Sequence, residues 1–534
     1  MESIDKPLSE YNHTYKAKIV EKSTEKIEGL IENLEIDVEG NKRTVDEYYK
    51  KCEKSKKLKT KISAIKFFAW FFIIATVALG AFAYFKQEYM VYAIIGAVVT
   101  LALAILLFVY SSKQGKIKAK LDHEIAQLKS QAIAQVAPLK EAMNHNIAID
   151  VVNETFSNVK FDYTFDLLKH EYFSQTFGLT KRFPDNKTIL GIHSGSIEGN
   201  PFIIYKTRAQ NMKNVTYHGE LLIEWETVEQ DNNGDINVVR HSQTLHASSV
   251  HPAPCFTDHG YVCFGCDEVE ELSFSRGPAG VSELSDKKID KFVKKKIKEL
   301  EKMAEKSFKG DHQLILMNNE KFEALFGAID RNDETKFRML FTPLAQQNMC
   351  DSILDKDHLG DEFAMNKNGK ITLVDSLYTA GLPYVLGNAH YYSFDLAKMK
   401  DQFVKFMSEF FEKIYFSLTP ILNIPAYQEI GSYEKLEKFN KENTRDELLY
   451  PSQFEVEAEA NRKPEYEAEN SKTLSILKVK NLGGGLYDVD AYGFDTENMV
   501  DLISVRGDDG YYHDVPVRWI KYNKVSSTKT FTVE

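Results

Sequence analysis

Two apolar stretches near the N-terminus decide the fold: FFAWFFIIATVALGAFAYF at 67–85 and YMVYAIIGAVVTLALAILLFVYSS at 89–112. Neither stretch contains a charged residue, and Lys86 and Glu88 lie between them. A helix rises about 1.5 Å per residue and a bilayer's hydrocarbon core is about 30 Å thick, so each stretch can cross once. The sequence therefore predicts a transmembrane hairpin over 67–112. The alternative is a buried helical hairpin inside a large soluble domain.

Lysines flank both apolar stretches and predict the orientation of the hairpin. Those before it are Lys50, Lys51, Lys54, Lys56, Lys57, Lys59, Lys61 and Lys66, and those after it are Lys113, Lys116, Lys118 and Lys120. Positively charged flanks stay on the cytoplasmic side, so we expect both termini in the cytoplasm. The lysine bias suggests a bacterium, hence its inner membrane. The same lysines predict contact with anionic lipid headgroups.

No ionisable residue lies inside either predicted span, which indicates an anchor rather than a path for ions or protons. The whole chain of 534 residues carries a formal net charge of −11, which argues against nucleic acid as a partner. Five cysteines are too few for a disulfide framework and fit a reducing compartment.

The segments beside the hairpin carry apolar residues at helical spacing. Residues 1–66 predict a cytoplasmic N-terminal helix, and residues 113–145 predict a helical stalk whose period runs as far as Pro138. We expect the two to pack as an antiparallel coiled coil, because each apolar stripe is too narrow to form a core alone. Two separate surface helices are the alternative.

Residues 146–430 predict an α+β cytoplasmic domain. Strands are expected from about Asn146, with one turn at 198–201 and another at DNNGD, 231–235, where Asn-Gly supplies positive φ angles. A further strand is expected within 269–276 and another at HQLILM, 312–317. Amphipathic helices are expected at 286–306 and 399–418.

The C-terminal part differs in composition. Residues 431–470 are acidic and poor in large apolar groups, which predicts a linker or a solvated helix. Residues 471–534 alternate again and predict a small β domain. The predicted fold class is therefore α+β: a transmembrane helical hairpin with a stalk, a strand-rich cytoplasmic domain and a small C-terminal β domain.

One cluster of residues has the chemistry of a metal site. Cys255, His259, Cys263 and Cys266 follow one another closely, and thiolate and imidazole are the ligands that zinc prefers. The alternative is that YVCFGC forms a strand whose cysteines serve as small apolar side chains. No phosphate-binding loop, nucleophile elbow or calcium loop is complete, so we assign no catalytic residue.

Residues 319–376 resemble the signature region of a bacterial family of two-span membrane proteins that has no assigned activity. The matching positions are Phe322, Phe326, Asp330, Lys336, Phe337, Arg338, Leu340, Thr342 and Pro343. The chain departs from the family in Phe341 and in the Cys/His stretch near Cys255. The resemblance covers about residues 60–420 and implies no functional residue. A second interpretation is that Thr342 caps a helix that begins at Pro343.

The expected function is that of a membrane-anchored scaffold or adaptor that acts through protein–protein contacts. Strands with open edges suit peptide or protein partners. Two alternatives stay open: a zinc-binding sensor or enzyme whose site is assembled from distant residues, and an accessory subunit of a membrane transport system.

Overall fold

The computed structural model describes residues 4–85, 87–179, 183–230, 236–307, 314–429 and 450–533. It is a mixed helix-and-sheet protein, as the α+β prediction requires. The chain forms two compact units. One comprises Met1–Ile19, Val152–Val385 and Glu409–Glu534, and is called the sheet unit. The other comprises Val20–Val151 and Leu386–Ser408, and is called the helical unit.

The helices are numbered in chain order. They are α1 (Pro7–Glu10), α2 (Lys16–Asn33), α3 (Val38–Phe85), α4 (Met90–Ala142), α5 (His145–Thr155), α6 (Leu167–Phe177), α7 (Asp286–Ser307), α8 (Glu320–Phe326), α9 (Glu334–Leu340), α10 (Pro343–Leu354), α11 (Leu377–Ala380), α12 (Leu396–Leu422) and α13 (Gln453–Ala460).

The strands form two sheets. They are β1 (Val159–Phe161), β2 (Lys187–Ile197), β3 (Asn200–Gln230), β4 (Ile236–Gly265), β5 (Ser273–Arg276), β6 (Phe363–Asn368), β7 (Ile371–Ser376), β8 (Ile476–Gly483), β9 (Leu486–Arg506) and β10 (Tyr512–Thr532). The first sheet has the order β1-β2-β3-β4-β7-β6-β5 and the second β10-β9-β8, and all neighbouring strands are antiparallel.

Several expectations need correction. Strands do not begin at Asn146, because α5 occupies that stretch and the first strand starts at Val159. Helix α4 continues past Pro138 to Ala142. The described part of HQLILM, 314–317, is not a strand. The turn at 231–235 and residues 431–449 of the expected linker lie outside the described residues.

The helical unit is built on the antiparallel pair α3 and α4. Thr76 Oγ1 and Thr100 Oγ1 lie 2.8 Å apart across the pair. Small residues let the backbones approach, since Ala69, Ala93 and Ala104 are buried. Nearer the termini of the pair, Ser55 Oγ donates to Asp122 Oδ1 at 2.6 Å.

The sheet unit packs apolar layers on both faces of the seven-stranded sheet. On one face, Phe173 and Phe177 of α6 pack against Ile203 and Cys263. On the other face, the Phe264 ring lies 5.1 Å from that of Tyr427. Gly265 lies under α6, where a Cβ would meet Phe173 at 2.7 Å. A side chain at that position would therefore push the helix off the sheet.

Helix α13 lies in the stretch predicted as an acidic linker, yet it is part of the core. Phe454 and Ala458 join the apolar cluster on the α6 face of the large sheet, and Val456 and Ala460 join that of the small sheet. Glu457 is buried, and its Oε1 accepts from Ile189 N at 2.6 Å. Burial raises its pKa to about 7. The helix therefore links the two sheets within one unit.

A buried ion pair holds the outer edge of the large sheet. Arg276 at the end of β5 pairs with Asp361, and both side chains are fully buried. Asp361 Oδ2 also accepts from Val281 N at 3.1 Å, and the Arg276 guanidinium lies 3.8 Å from the centre of the Phe363 ring. Burial lowers the pKa of Arg276 to about 10, which leaves it charged at neutral pH.

We predict that Arg276→Leu lowers the free energy of unfolding by about 3–5 kcal/mol, because it leaves the Asp361 carboxylate buried without its partner. The control is Arg240→Leu, which removes an exposed pair with Glu226 and should cost under about 1 kcal/mol. Urea unfolding of the full chain in detergent, followed by circular dichroism, measures both. Equal and small losses would show that the buried pair contributes no more than a surface pair.

Candidate functional site

The apolar parts of α3 and α4 have the length and composition of membrane-crossing helices. Only 6% and 11% of their most apolar windows are buried inside the protein. Phe67, Trp70, Val77 and Leu106 are each more than half exposed. The alternative of a buried hairpin in a soluble core requires these side chains to be covered, and the described residues leave them uncovered. Such an apolar surface needs a cover other than water.

The lysines predicted to flank the spans lie on α3 and α4, and most of them are exposed. Three of them also form ion pairs. Lys51 Nζ lies 3.0 Å from Glu124 Oε2 across the helical pair, Lys118 pairs with Asp122 within α4, and Lys57 Nζ lies 2.6 Å from Glu53 Oε1 within α3. Hydrogen bonds from these lysines hold the pKa values of Glu124 and Asp122 below their usual range.

The strongest surface feature of the sheet unit is a long two-layer arm. Strands β3 and β4 pair from Phe202–Phe264 to Gln230–Ile236. Strand β2 pairs with β3 only as far as Ala209, and β7 pairs with β4 only from Tyr261. The strands therefore run on as a ribbon of about 20 residues each, roughly 65 Å long at 3.3 Å per residue. We define the arm as this ribbon together with the part of β9 and β10 that packs on it.

Alternate side chains of the two hairpins meet inside the arm. Ile223, Leu245 and Val515 are buried there, with Trp225 and Val505 partly buried beside them. Gly219 allows the approach, because a Cβ at that position would lie 2.2 Å from Pro516 O. The glycine thus sets how closely the two β layers can pack.

One polar clasp fixes the register of the two hairpins. The Asp501 carboxylate of β9 accepts from His251 Nε2 at 2.6 Å and from Trp519 Nε1 at 2.8 Å. The His251 and Trp519 rings stack, with centroids 3.5 Å apart and planes 5° from parallel. The hydrogen bond from His251, and to a smaller extent that from Trp519, lowers the pKa of Asp501. The Asp501 carboxylate therefore contributes stability above about pH 4, and this contribution is lost as the pH falls through the lowered pKa of Asp501.

Each of the two outer faces of the arm carries exposed aliphatic side chains at alternate positions. Leu222 of β3 and Leu502 of β9 are 60% and 64% exposed, and they lie on opposite faces because Ile223 and Val505 face each other inside the arm. At the far end of the ribbon, Val228 lies opposite Val238, and these two and Ile236 are strongly exposed. No described strand pairs with the outer edges of this ribbon.

The four residues predicted as zinc ligands are not brought together. Cys255, His259 and Cys263 point the same way along β4, but four strand residues span roughly 13 Å, whereas zinc ligands lie about 2–2.3 Å from the ion. Cys263 is buried in the apolar cluster under α6. Burial raises the pKa of Cys266 to about 11, so it is a thiol. Among the described residues, no group of three or more His, Cys, Asp or Glu could hold a metal.

The residues that carry the family resemblance have structural roles. Phe322, Phe326 and Phe337 pack ring against ring in a cluster that also contains Phe341 and Phe274 of β5. Of the polar positions, Asp330 accepts from Ser275 N, Lys336 pairs with Glu271, and Arg338 donates to Leu316 O.

The second interpretation of this stretch is confirmed. Thr342 Oγ1 accepts from Ala345 N, and Pro343 is the first residue of α10. The stretch builds the corner of the domain where α8, α9 and α10 meet, rather than a reactive site.

Two clefts open on the sheet unit. The larger, about 700 Å³, lies between the sheets beside the base of the arm and is lined by Lys478, Tyr492, Phe494 and Lys524 among others. The smaller, about 410 Å³, lies beside α1 and includes Lys6, His13 and Asp351. Among the described residues, neither cleft brings a nucleophilic side chain within hydrogen-bond distance of a base.

Sequence reasoning missed the arm as a functional feature. It predicted a hairpin about residues 231–235 and a small β domain over 471–534, but not that the two stack. Two signals were present in the sequence. One is Gly219, a residue that weakens a strand unless another backbone packs closely on it, and the other is the set of exposed aliphatic residues in the part of the ribbon where β2 and β7 do not pair. The partners of His251 lie some 250 residues away, and no local pattern indicates them.

The fold and surface define an α+β protein with two helices apolar and long enough to cross a membrane. Comparison of the chain with protein-family models, curated proteins and solved structures finds no match.

We predict that Asp501→Ala makes the backbone amides of β10 around Trp519 exchange hydrogen several-fold faster, because both hydrogen bonds of the clasp are lost. Hydrogen exchange with mass spectrometry measures the change. The matched control is Asp514→Ala on the outward side of β10, where the carboxylate accepts a hydrogen bond from Ser504. If both variants exchange alike, the clasp does not hold the two hairpins together.

Proposed function

We propose that the chain is a membrane-anchored adaptor that binds a protein partner through the arm. The observation that carries this proposal is the outer face of the β3–β4 ribbon, with exposed aliphatic side chains at Leu222, Val228 and Val238, next to strand edges that no described strand covers. An extended peptide can add to such an edge through backbone hydrogen bonds, while its alternate side chains contact the exposed aliphatic groups.

The anchor is the pair α3 and α4, crossing the inner membrane of a bacterial cell twice with both termini in the cytoplasm. The lysine distribution supports this orientation, since twelve lysines flank the two spans and Lys86 alone lies in the turn between them. The lysines at 50–66 and 113–120 bind anionic lipid headgroups in this proposal. The cytoplasmic ends of α3 and α4 form the stalk, a short antiparallel coiled coil.

Catalysis and zinc sensing are less well supported than adaptor function. The candidate ligands Cys255, His259, Cys263 and Cys266 are spread along and beyond a strand. A role as an accessory subunit of a transport system has no specific observation in its favour. The chain's net charge of −11 also disfavours a nucleic-acid partner. A contact surface is what the geometry offers.

The test places a photo-crosslinking amino acid at Leu222, Val228 or Val238 in the full chain, expressed in cells. We expect the three positions to give an adduct with the same partner. The matched control is Leu377, an aliphatic side chain that is 72% exposed but lies off the arm. It should give no such adduct.

A charge placed on the arm separates contact from chance proximity. Leu222→Asp should remove the adducts at Val228 and Val238 if one partner lies along this face, and it should leave the fold intact because Leu222 faces outward. Adducts that form equally at Leu377, or arm positions that give none, would contradict the adaptor proposal.

A further inference from the structure

Helix α7 separates its charges in an unusual way. Its exposed lysines are Lys287, Lys288, Lys291, Lys294, Lys295, Lys298, Lys302 and Lys306. At 3.6 residues per turn, all eight lie within roughly 120° of the helix circumference. Glu305 is the one carboxylate in that arc. The lysine face, defined as this arc, is about 29 Å long at 1.5 Å per residue.

The opposite side of α7 is fixed to the protein. Ile297 and Leu300 are buried against Ala324 of α8, with Val293 and Leu316 beside them. Ile289, about two turns before Ile297, is buried as well. The helix therefore cannot rotate its lysines away, and the lysine face is permanently presented to the surroundings.

The lysine face repels itself. Lys287, Lys291, Lys295 and similar neighbours follow at spacings of three and four residues, which place like charges next to each other on a helix. Within α7, Lys295 and Lys296 both lie 3.9 Å from Glu299, the limit of an ion pair. A solvated helix would gain from mixing its charges, so this arrangement is suited to an external surface with many negative charges.

We propose that the lysine face of α7 binds the surface of an anionic lipid bilayer, as a second membrane contact apart from the lysines beside the spans. The proposal rests on the membrane anchoring proposed above. An anchored chain keeps α7 at high local concentration near lipid, so that weak contacts add up. Each lysine near an anionic leaflet contributes favourably.

Two features favour lipid over nucleic acid. Helix α7 contains no arginine, which is the residue that nucleic-acid sites use for bidentate contacts to phosphate and guanine. The ammonium group of lysine is a point charge that suits mobile headgroups.

The test measures how fast each lysine is acetylated in the full chain, held in nanodiscs of phosphatidylcholine alone or mixed with phosphatidylglycerol. We expect the lysines of the face to react about fivefold more slowly in the anionic discs. Salt at about 1 M, where charges are screened beyond about 3 Å, should abolish the difference. Lys472, exposed but far from α7 in sequence, is the control and should react alike in both lipids.

A triple variant, Lys291→Glu, Lys295→Glu and Lys298→Glu, should lose the protection at Lys287 and Lys302 while still entering the discs. Equal acetylation in the two lipids would overturn the proposal. Protection by double-stranded DNA but not by phosphatidylglycerol would also overturn it and assign the face to nucleic acid. A chain that does not enter the discs contradicts the anchor instead, and binding to phosphatidylglycerol vesicles then tests α7 alone.

Discussion

The hydrophobic effect on one pair of helices is the constraint from which the rest of the account follows. Helices α3 and α4 present uncharged apolar side chains outward over lengths that match a bilayer, and the protein itself covers little of them. Burying apolar surface is worth about 25 cal/mol per Å², so leaving two such helices in water would cost far more than a domain's stability. A cover for them is required, and in the anchor proposed above a lipid bilayer is that cover.

The placement of charged residues along the chain follows from that constraint. A helical pair held in lipid cannot place ionisable groups in its spans, and lysines collect where the helices leave the apolar layer. The same logic extends to α7, whose lysines are gathered on one side and whose apolar side is fixed in the core. In both places the sequence keeps positive charge at a boundary, while the chain as a whole is acidic.

Local patterns predicted the parts of the structure that local physics controls. The apolar spans, the amphipathic helix α7 and the strands on either side of Asn-Gly follow from period and turn chemistry, and the structure contains each of them. The pattern failed at α5 and α13, where tertiary contacts decide. Phe454 and Val456 are too few to predict a core helix, but α13 lies between two sheets and buries them.

The candidate zinc ligands are not brought together, and the reason is geometric. Cys255, His259 and Cys263 are close in sequence, but a strand separates them by its rise, whereas a loop would have gathered them. Conversely, Asp501 and His251 are distant in sequence and meet in the arm. Function at a surface of this kind depends on long-range pairing that a single sequence does not display.

The central claim is that α3 and α4 are held in lipid with both termini inside. The most direct measurement has two parts on cells that carry a tag after Glu534. Isolated membranes are washed with alkaline carbonate, and a separate sample of intact cells is treated with protease. The account predicts that the full chain stays in the membrane pellet and that the tag is protected until the cells are opened. Release of the chain by carbonate, or digestion of the tag from outside, would contradict it.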